Sequence, residues 1–345
     1  MNQSTARKTV KASPSPANTS HLQLHSSDNL FSWEQRIGYL KQFGEHSQHF
    51  TALQSDMQYF DMPGVGYIAY AMHLGRCMVL GDPVTAAGDQ QRIISRFLEK
   101  HRNATFVQVS EPIAEYLHGA AGFYGTQFGS ELLVPIQDWS TGGKSRKVIR
   151  SAVNMARKQG ITIAESETKL DADKASELWL QSRKTTREIR YLIRPTDMEY
   201  AEGSRYFYAW KDDQPIGFAY FDPKYRDGKV VGYLPNISRA CESFRQGLFY
   251  AIMVHAIDTF RSEGLDHVDL GLSPLAIDPD PKPYESNVTR KVFDLTYHYC
   301  FHYNCKGVHF TKQRFGGKWS RTYLCHRNTL PVVDMWRLLR LTRVF

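Results

Sequence analysis

The sequence lacks the short motifs that mark several large enzyme classes. Its 345 residues contain no GxSxG, no GxxxxGK[ST] and no HExxH. These motifs supply, in turn, an activated serine, a phosphate-binding loop and a pair of zinc ligands. Their absence argues against serine-hydrolase, P-loop kinase and zinc-protease chemistry.

Cysteines are few, and long hydrophobic runs are missing. The five cysteines include no CxxC pair, and the spacing of Cys300 and Cys305 fits no standard zinc finger. We therefore expect reduced thiols and no metal site. No apolar stretch approaches the roughly 18–20 residues that span a bilayer, and the polar N-terminus has no signal-peptide core. We expect a cytoplasmic protein, soluble or peripheral to a membrane.

Basic residues, in contrast, are in excess. The formal net charge is +8 and the sequence pI is about 9.1, with 42% hydrophobic and 23% charged residues. This composition is typical of a soluble globular protein. The positive charge is compatible with a nucleic acid, an acidic lipid headgroup or a phosphorylated small molecule as partner. A basic surface without a specific partner fits the charge equally well.

The order of predicted elements divides the chain into two similar halves. Residues 1–28 are rich in Ser, Thr, Asn, Pro and Lys, which predicts a disordered tail. Residues 29–165 and 166–345 each contain antiparallel strands followed by a helix and a further strand. This order predicts an α/β (α+β) fold of two tandem GNAT-like acyltransferase domains, each a mixed central sheet flanked by helices. We place the active site in the second domain.

Two basic segments are candidate anion-binding sites. In "CESFRQGLFYAIMVHAIDTF", Arg245, Gln246 and Gly247 stand at a predicted helix N-terminus, whose free N–H groups favour an anion such as a donor phosphate. The turn of a core helix is the alternative. Phe249 occupies the position of the second glycine in acyl-CoA-binding loops, which disfavours coenzyme A. The second segment, "GGKSRKVIRSAVNMARKQG", predicts a helix with Val148, Ala152, Met155 and Ala156 inward and basic residues outward.

Four segments, taken in order, resemble a known family. They are "VLGDPV" (79–84), residues 129–160, "HVDLGLSPLA" (267–276) and "HFTKQRFGGKWSRTYL" (309–324). Together they resemble the C-terminal synthase domain of the phosphatidylglycerol lysyltransferases (multiple peptide resistance factor family), in a stand-alone soluble form without the transmembrane flippase. The resemblance covers roughly residues 50–326. It implies a tandem GNAT fold that moves an aminoacyl group from aminoacyl-tRNA onto a lipid hydroxyl, with no cofactor besides that donor substrate.

The resemblance also implies site residues. The family's Asp-Leu-Met-Arg, close to the reaction centre, aligns with 236–239, so Arg239 is kept and Asn236 replaces the aspartate. The family's Asn-Leu-Gly aligns with 269–271, which begin at Asp269. We assign Arg239, Asn236 and Asp269 as catalytic candidates. An amide carries no charge, so the identity of the aminoacyl group stays open.

Further basic and aromatic residues are candidate contacts for anionic substrates. Lys312 and Arg314 are predicted, with Arg245, Gln246 and Gly247, to bind the donor phosphate. A solvated C-terminal hairpin is the alternative for this segment. The candidate contacts to tRNA or the lipid headgroup are Lys144, Arg150, Arg157, Trp319 and Tyr323.

Three functions fit these observations. The first is an aminoacyl-tRNA-dependent transferase acting on an anionic, phosphatidylglycerol-like lipid or a related hydroxyl acceptor. Its partners are aminoacyl-tRNA and an anionic membrane surface, and its place is the cytoplasm, at the inner face of the cytoplasmic membrane. The second is an acyl-CoA-dependent GNAT N- or O-acyltransferase. The third is a non-catalytic basic domain that binds RNA or membrane.

Overall fold

The computed structural model describes residues 28–167, 189–196, 198–240, 245–299 and 304–343. The sequence also predicts a helix at 171–186; that segment and most of the predicted tail lie outside these residues. The strands are β1 (Gln58–Met62), β2 (Gly66–His73), β3 (Arg76–Leu80), β4 (Val84–Thr85), β5 (Thr105–Val109), β6 (Tyr124–Pro135), β7 (Thr162–Ser166), β8 (Arg205–Lys211), β9 (Gln214–Arg226), β10 (Lys229–Ala240), β11 (His267–Pro274) and β12 (Lys318–His326). The helices are α1 (Trp33–Phe43), α2 (Gln90–Lys100), α3 (Glu111–Ala121), α4 (Lys147–Lys158), α5 (Arg245–Ser262), α6 (Asn287–Tyr299), α7 (Cys305–Gln313) and α8 (Val332–Leu341).

All the described strands belong to one sheet whose two halves mirror each other. The order is β1-β2-β3-β5-β12-β6-β11-β10-β9-β8-β7, and β4 pairs with β2 beside this path. In each half an antiparallel set is followed by a parallel pair, β3 with β5 and β10 with β11. The next strand is then exchanged between the halves: β12 lies on β5, and β6 lies on β11. The predicted tandem GNAT-like α/β architecture is confirmed.

The exchanged strands make the two halves continuous. Strands β6 and β12 pair with each other over most of their length, from Lys318 opposite Leu133 to His326 opposite Tyr124. The predicted boundary between residues 165 and 166 falls at the end of β7, which pairs with β8 of the second half. Because of this exchange, β12 completes the sheet beside strands of the first half although it is late in the sequence.

Helices cover the sheet and bury its apolar side chains. Helices α4 and α5 pack over a core that includes Leu132, Phe260 and Phe315. A second core forms under α2 and α3, where Ile94 and Leu117 are fully buried. A further large cluster, on which α8 packs through Leu338, includes Tyr67 and Phe293. Burial of these large side chains supplies the main favourable free energy of folding.

Three local predictions need correction. The sequence offers Ser27 and Asp28 as candidate caps of the first helix. Helix α1 is instead capped by Ser32, whose hydroxyl accepts from the Gln35 N–H. Asp28 is buried and ion-paired with Lys100, so it belongs to the folded part of the chain and not to the tail.

In α4 the buried face is Ile149, Ala152 and Ala156, whereas Val148 and Met155 are 43% and 44% exposed. The predicted inward face was wrong at those two positions because the helix is rotated towards Ile149.

An opening between β10 and β11 positions the candidate site. The two parallel strands pair only at Gly232–His267 and Tyr233–Val268. Beyond that point each strand contains a bulge: β10 shifts register around Asn236, and β11 shifts between Asp269 and Leu272. Gly271, in the second bulge, has a φ of +66°, a conformation in which glycine carries little strain. The bulges redirect side chains on both sides of the opening.

Candidate active site

A buried ion pair spans the root of this opening. Lys224 of β9 donates to a carboxylate oxygen of Asp269 on β11, and both side chains are buried. The other oxygen of Asp269 accepts the Gly271 N–H at 2.8 Å. Burial opposes ionisation of Asp269, but the charge and hydrogen bond of Lys224 hold the pKa of this carboxyl below its ordinary value. Asp269 is therefore a fixed anion that also closes the β11 bulge.

Lys312 of α7 adds a second cation beside this pair. Its ammonium donates to the main-chain oxygen of Leu272 at 2.6 Å. Burial lowers the pKa of Lys312 to about 8, although the nearby charges of Asp269 and Glu131 act in the opposite direction. Lys312 can therefore gain and release a proton near neutral pH, as a group that takes part in acid–base chemistry must.

A carboxylate and two amide or hydroxyl groups complete the cluster. Glu131 of β6 accepts from the Ser47 hydroxyl at 2.7 Å and from the Gln108 amide at 2.6 Å. Gln108 is fully buried and has a φ of +59°, a strained conformation for a residue with a side chain. Its amide oxygen and the hydroxyl of buried Ser273 have no hydrogen-bond partner within the described parts of the chain. Such groups cost free energy unless a ligand or water satisfies them.

We call Lys224, Asp269, Lys312, Glu131, Gln108 and Ser47 the central cluster. It combines two cations and two carboxylates. One of the cations, Lys312, titrates near neutrality. Because these charged groups are largely shielded from water, they act strongly on a substrate bound beside them. The cluster can therefore orient an ammonium group, stabilise an oxyanion and move a proton, which are the tasks of acyl transfer.

The structure assigns the predicted residue Asn236 a bridging position. Its amide nitrogen donates to the Thr51 hydroxyl at 2.7 Å, and its oxygen accepts the Arg194 N–H at 3.2 Å. Arg194 is fully buried and ion-paired with Asp222 at 2.7 Å. Asn236 thus ties the bulge of β10 to the segments that contain Thr51 and Arg194. These contacts leave its role in the reaction a prediction.

Of the other catalytic candidates, only Asp269 lies in the central cluster. Arg239 is buried near the end of β10, opposite Phe218 of β9. It lies on the strand that borders the opening, three residues after the Asn236 bulge. A contact between Arg239 and a substrate phosphate or oxyanion stays a prediction.

The predicted donor-binding residues fall into two groups. Helix α5 begins at Arg245, so Gly247 is buried in its first turn; the side chains of Arg245 and Gln246 lie outside the described part. Lys312 belongs to the central cluster. Arg314 donates to the Tyr250 hydroxyl of α5 at 2.6 Å, so its guanidinium is already engaged at this helix.

Two of the five predicted tRNA and lipid contacts, Arg150 and Arg157, line a groove between α4 and α5. The groove has a volume of about 430 Å³, and Arg150 and Arg157 line it together with Arg261. Arg150 also donates to the main-chain oxygens of Thr141 (2.5 Å) and Gly143 (2.8 Å), which holds the preceding loop. Lys144, in that loop, is exposed.

The two aromatic candidates on β12 differ. Trp319 is exposed and stacks on His309 with ring centroids 4.8 Å apart. Tyr323 is fully buried beside Tyr284. The structure therefore does not bring Tyr323 to a surface where RNA or a headgroup could stack on it, because the β12 bulge directs its ring into the core.

Sequence reasoning missed Lys224, Glu131, Gln108 and Ser47. These residues come from four distant segments, and no motif links them. One signal was present: Glu131 stands inside the largely apolar strand "GSELLVPI", and Lys224 follows the apolar run "FAYF" within β9. Charged residues are rarely buried without a partner. A charged residue in a predicted core strand therefore indicates an oppositely charged partner on a neighbouring element.

Within the described residues, no group of three or more His, Cys, Asp or Glu side chains has the geometry to hold a metal ion. In the same residues, no helix combines the length and apolar character required to cross a bilayer.

Comparisons with known proteins identify the family to which the chain is related. A sequence model described as "Phosphatidylglycerol lysyltransferase, C-terminal" matches residues 37–326. The phosphatidylglycerol lysyltransferase of Staphylococcus xylosus is 19% identical over 336 residues, which are 92% of this chain and 38% of that protein. The chain thus spans well under half the length of this curated relative.

Two solved structures share the fold. The structure of L-PGS from Bacillus licheniformis superimposes with a TM-score of 0.73 at 18% identity, covering 90% of this chain and 97% of the other. The C-terminal domain of a proposed lysylphosphatidylglycerol synthetase from Agrobacterium fabrum gives 0.72 at 20% identity, covering 88% and 96%. Since the family model matches most of the chain, this protein belongs to the family of phosphatidylglycerol lysyltransferase C-terminal domains.

Proposed function

We propose that this protein transfers an aminoacyl group from aminoacyl-tRNA to a hydroxyl of an anionic phospholipid of the phosphatidylglycerol class. Family membership over residues 37–326 is the observation that carries this proposal. The names of the relatives describe lysyl transfer to phosphatidylglycerol. The central cluster supports the proposal because it offers the charges that such a transfer requires. The excess of basic residues fits two anionic substrates.

The reaction itself is an ester exchange. The lipid hydroxyl oxygen attacks the carbonyl carbon of the aminoacyl ester, forming a new C–O bond and a tetrahedral oxyanion. Collapse of this intermediate breaks the bond to the terminal ribose of the tRNA. The proton lost by the lipid hydroxyl ends on the ribose oxygen. The enzyme must therefore align the two substrates, stabilise the oxyanion and relay one proton.

We assign the cationic part of this chemistry to Lys312. At neutral pH the Lys312 amine is mostly in its protonated, ammonium form. The ammonium can therefore donate to the oxyanion and then supply the proton to the leaving ribose oxygen. Asp269, which is ion-paired with Lys224, attracts the Lys312 ammonium and so helps to orient it. Glu131 offers a carboxylate to the ammonium of the aminoacyl group, with its orientation fixed by Ser47 and Gln108.

Packing in α5 argues against coenzyme A as the donor carrier. The ring of Phe249 stands where acyl-CoA loops have their second glycine, and it packs against Phe315 with centroids 6.2 Å apart. A glycine at this position lets the backbone approach a pyrophosphate closely. A bulky ring packed on Phe315 at this position counts against coenzyme A and favours a donor carried by RNA.

The test uses the purified chain with a labelled mixture of aminoacyl-tRNAs and phosphatidylglycerol vesicles, with and without RNase. We expect label in the lipid fraction and its loss after RNase treatment. Lys312→Met should abolish transfer, whereas Lys318→Met, an exposed lysine on the neighbouring strand, should not. Labelling only from acyl-CoA would refute the proposal in favour of the second function. Binding of tRNA or vesicles without turnover would favour the third.

A further inference from the structure

An unusual surface lies on the solvent-facing side of α8. Its apolar members are exposed: Val332, Val333, Trp336 and Leu339. Val332 is 59% exposed and Trp336 is 48% exposed. The outer face of a helix that packs on a domain is normally polar. Here the same helix also has an apolar inner face, where Leu338 is buried in the core with Met335 and Leu341 beside it.

The β2–β3 turn extends this surface. Met72 and Leu74 are exposed at the turn, and Leu74 is 64% exposed. Arg337 donates to the Leu74 main-chain oxygen at 3.4 Å, and the rings of His73 and Trp336 lie 6.1 Å apart. The turn is therefore attached to α8. We call Met72, Leu74, Val332, Val333, Trp336, Leu339, Arg340 and Arg343 the α8 surface.

The charged side chains of the α8 surface itself are basic. One exposed carboxylate at its border, Asp56, lines a pocket with Met72 and Arg343 and is ion-paired with Arg190 at 3.5 Å. Arg340 is in the last turn of α8 and Arg343 lies just beyond it, and both are exposed. The one acidic residue in the helix, Asp334, is buried and bound to Arg337 at 3.1 Å and to Arg76 at 3.6 Å. No acidic side chain of α8 is thus left to balance the two arginines at the surface.

We infer that the α8 surface docks the protein on an anionic lipid bilayer. An exposed tryptophan with aliphatic neighbours fits the headgroup–acyl boundary, and flanking arginines extend towards lipid phosphates. A second copy of the chain suits the surface less well, because self-association would bring the arginines of two copies together. The inference deepens the proposed function, on which it rests, by naming the surface that brings the site to its lipid acceptor. Helix α8 lies beyond residues 37–326, which match the family model.

The surface is connected to the candidate site through one hydrophobic cluster. The inner face of α8 and Leu272 both pack on that cluster. The Leu272 oxygen is the acceptor of the Lys312 ammonium. Docking through α8 would therefore hold Leu272, and with it the Lys312 side chain, at a fixed position relative to the membrane.

Vesicle flotation of the full chain tests the inference. The vesicles contain phosphatidylcholine alone, or phosphatidylcholine mixed with phosphatidylglycerol. We expect the wild type to float with the mixed vesicles and to bind the neutral ones more weakly. Trp336→Ser with Leu339→Ser should lower binding about tenfold or more. Arg340→Gln with Arg343→Gln should lower binding to mixed vesicles by about fivefold for each arginine.

Matched controls remove the same chemistry elsewhere. Leu295→Ser replaces an exposed leucine of α6, and Arg92→Gln with Arg96→Gln removes two exposed arginines of α2. These variants should float like the wild type. Failure of the wild type to float, or normal flotation of both α8 variants, would overturn the inference. So would a wild-type dimer that Trp336→Ser converts to a monomer, because a second copy would then cover the surface.

A soluble acceptor separates this inference from the proposed function. With short-chain phosphatidylglycerol below its micelle concentration, the α8 variants should transfer as well as the wild type, and lose turnover only on vesicles. Loss of turnover on both acceptors would contradict a docking role. Flotation that depends on α8, without transfer to any acceptor, would leave the docking surface standing and refute the proposed function.

Discussion

The pH dependence of transfer is the sharpest consequence of the Lys312 environment. If the protonated ammonium of Lys312 stabilises the oxyanion, turnover requires the charged form. Burial places the pKa of Lys312 at about 8, below the ordinary lysine value. Raising the pH through 8 therefore removes the active form, long before an exposed lysine would lose its proton.

The magnitude follows from the titration. At pH 7 the charged form exceeds the neutral one by about tenfold, and at pH 9 the ratio is reversed. The transfer rate from the charged form should fall about tenfold between pH 7 and 9, and about tenfold for each further unit. Lys312→Arg keeps a cation whose pKa exceeds about 12. In that variant the alkaline decline should disappear, whatever activity remains.

The assay measures initial rates of lipid labelling from pH 6 to 10 at saturating donor. Parallel incubations without enzyme correct for alkaline hydrolysis of the aminoacyl ester. Lys318→Met serves as the matched control and should reproduce the wild-type profile. A wild-type rate that keeps rising beyond pH 9, or a Lys312→Arg profile with an unchanged decline, would refute the assignment of Lys312.

The same pKa shift has a consequence for stability. Because the folded-state pKa of Lys312 is lower than its unfolded-state value, folding is disfavoured while the group is protonated. Its contribution to the free energy of unfolding therefore rises as the pH increases from about 8 towards the unfolded value. Lys312→Met should remove this rise and increase the melting temperature at pH 7. A lower melting temperature of Lys312→Met at pH 7 would contradict the inference that the charged Lys312 destabilises the fold.

Four further substitutions probe neighbouring residues. Arg239→Ala should reduce transfer by more than about tenfold with an unchanged circular dichroism spectrum; near-normal turnover would remove Arg239 from the site. Asn236→Asp keeps both hydrogen bonds, since the Thr51 hydroxyl can donate. It should change the free energy of unfolding by less than about 1 kcal/mol and raise kcat/KM for lysyl-tRNA relative to alanyl-tRNA; an unchanged ratio would dismiss its role in donor choice. Asp269→Asn should cost about 3–5 kcal/mol in urea denaturation by leaving Lys224 buried and unpaired. Adding Lys224→Met should recover more than half, and no recovery would point to another role for Asp269.

Much of the local structure could be predicted because it depends on short-range chemistry. Gly122 ends α3 in the left-handed conformation, as its position after the apolar run indicated. The segment "RYFYAWKDDQPIGFAYFDP" predicts a hairpin with Asp-Asp-Gln-Pro at its tip, and β8 and β9 form it with a turn at Asp212 and Asp213, both with positive φ. Asp and Asn tolerate this conformation better than most other residues with a side chain. Such signals act within a few residues, so one sequence suffices to find them.

The errors arose where packing overrides the local pattern. In α4, two overlapping sets of apolar residues, one through Val148 and one through Ile149, both satisfy helical spacing. Contact with α5 selects the set through Ile149. The exchange of β6 and β12 between the halves was also hidden, because pairing between strands about 190 residues apart leaves no local trace.

The candidate site was predictable only in part. Asp269 and Lys312 were identified from the motifs around them. Their partners Lys224 and Glu131 were not, because two bulged strands and a separate helix bring them together. Ion pairs between distant segments depend on the three-dimensional arrangement of the chain, which a single sequence does not reveal.

The central claim concerns the product, and mass spectrometry of the lipid tests it most directly. The purified chain is incubated with phosphatidylglycerol vesicles and tRNA charged with the full set of amino acids, and the lipids are then extracted. We predict a new species heavier than phosphatidylglycerol by one aminoacyl residue, whose mass also identifies the amino acid. This species should be absent with uncharged tRNA and with Lys312→Met. Unmodified phosphatidylglycerol after incubation with folded, vesicle-bound protein would contradict the account.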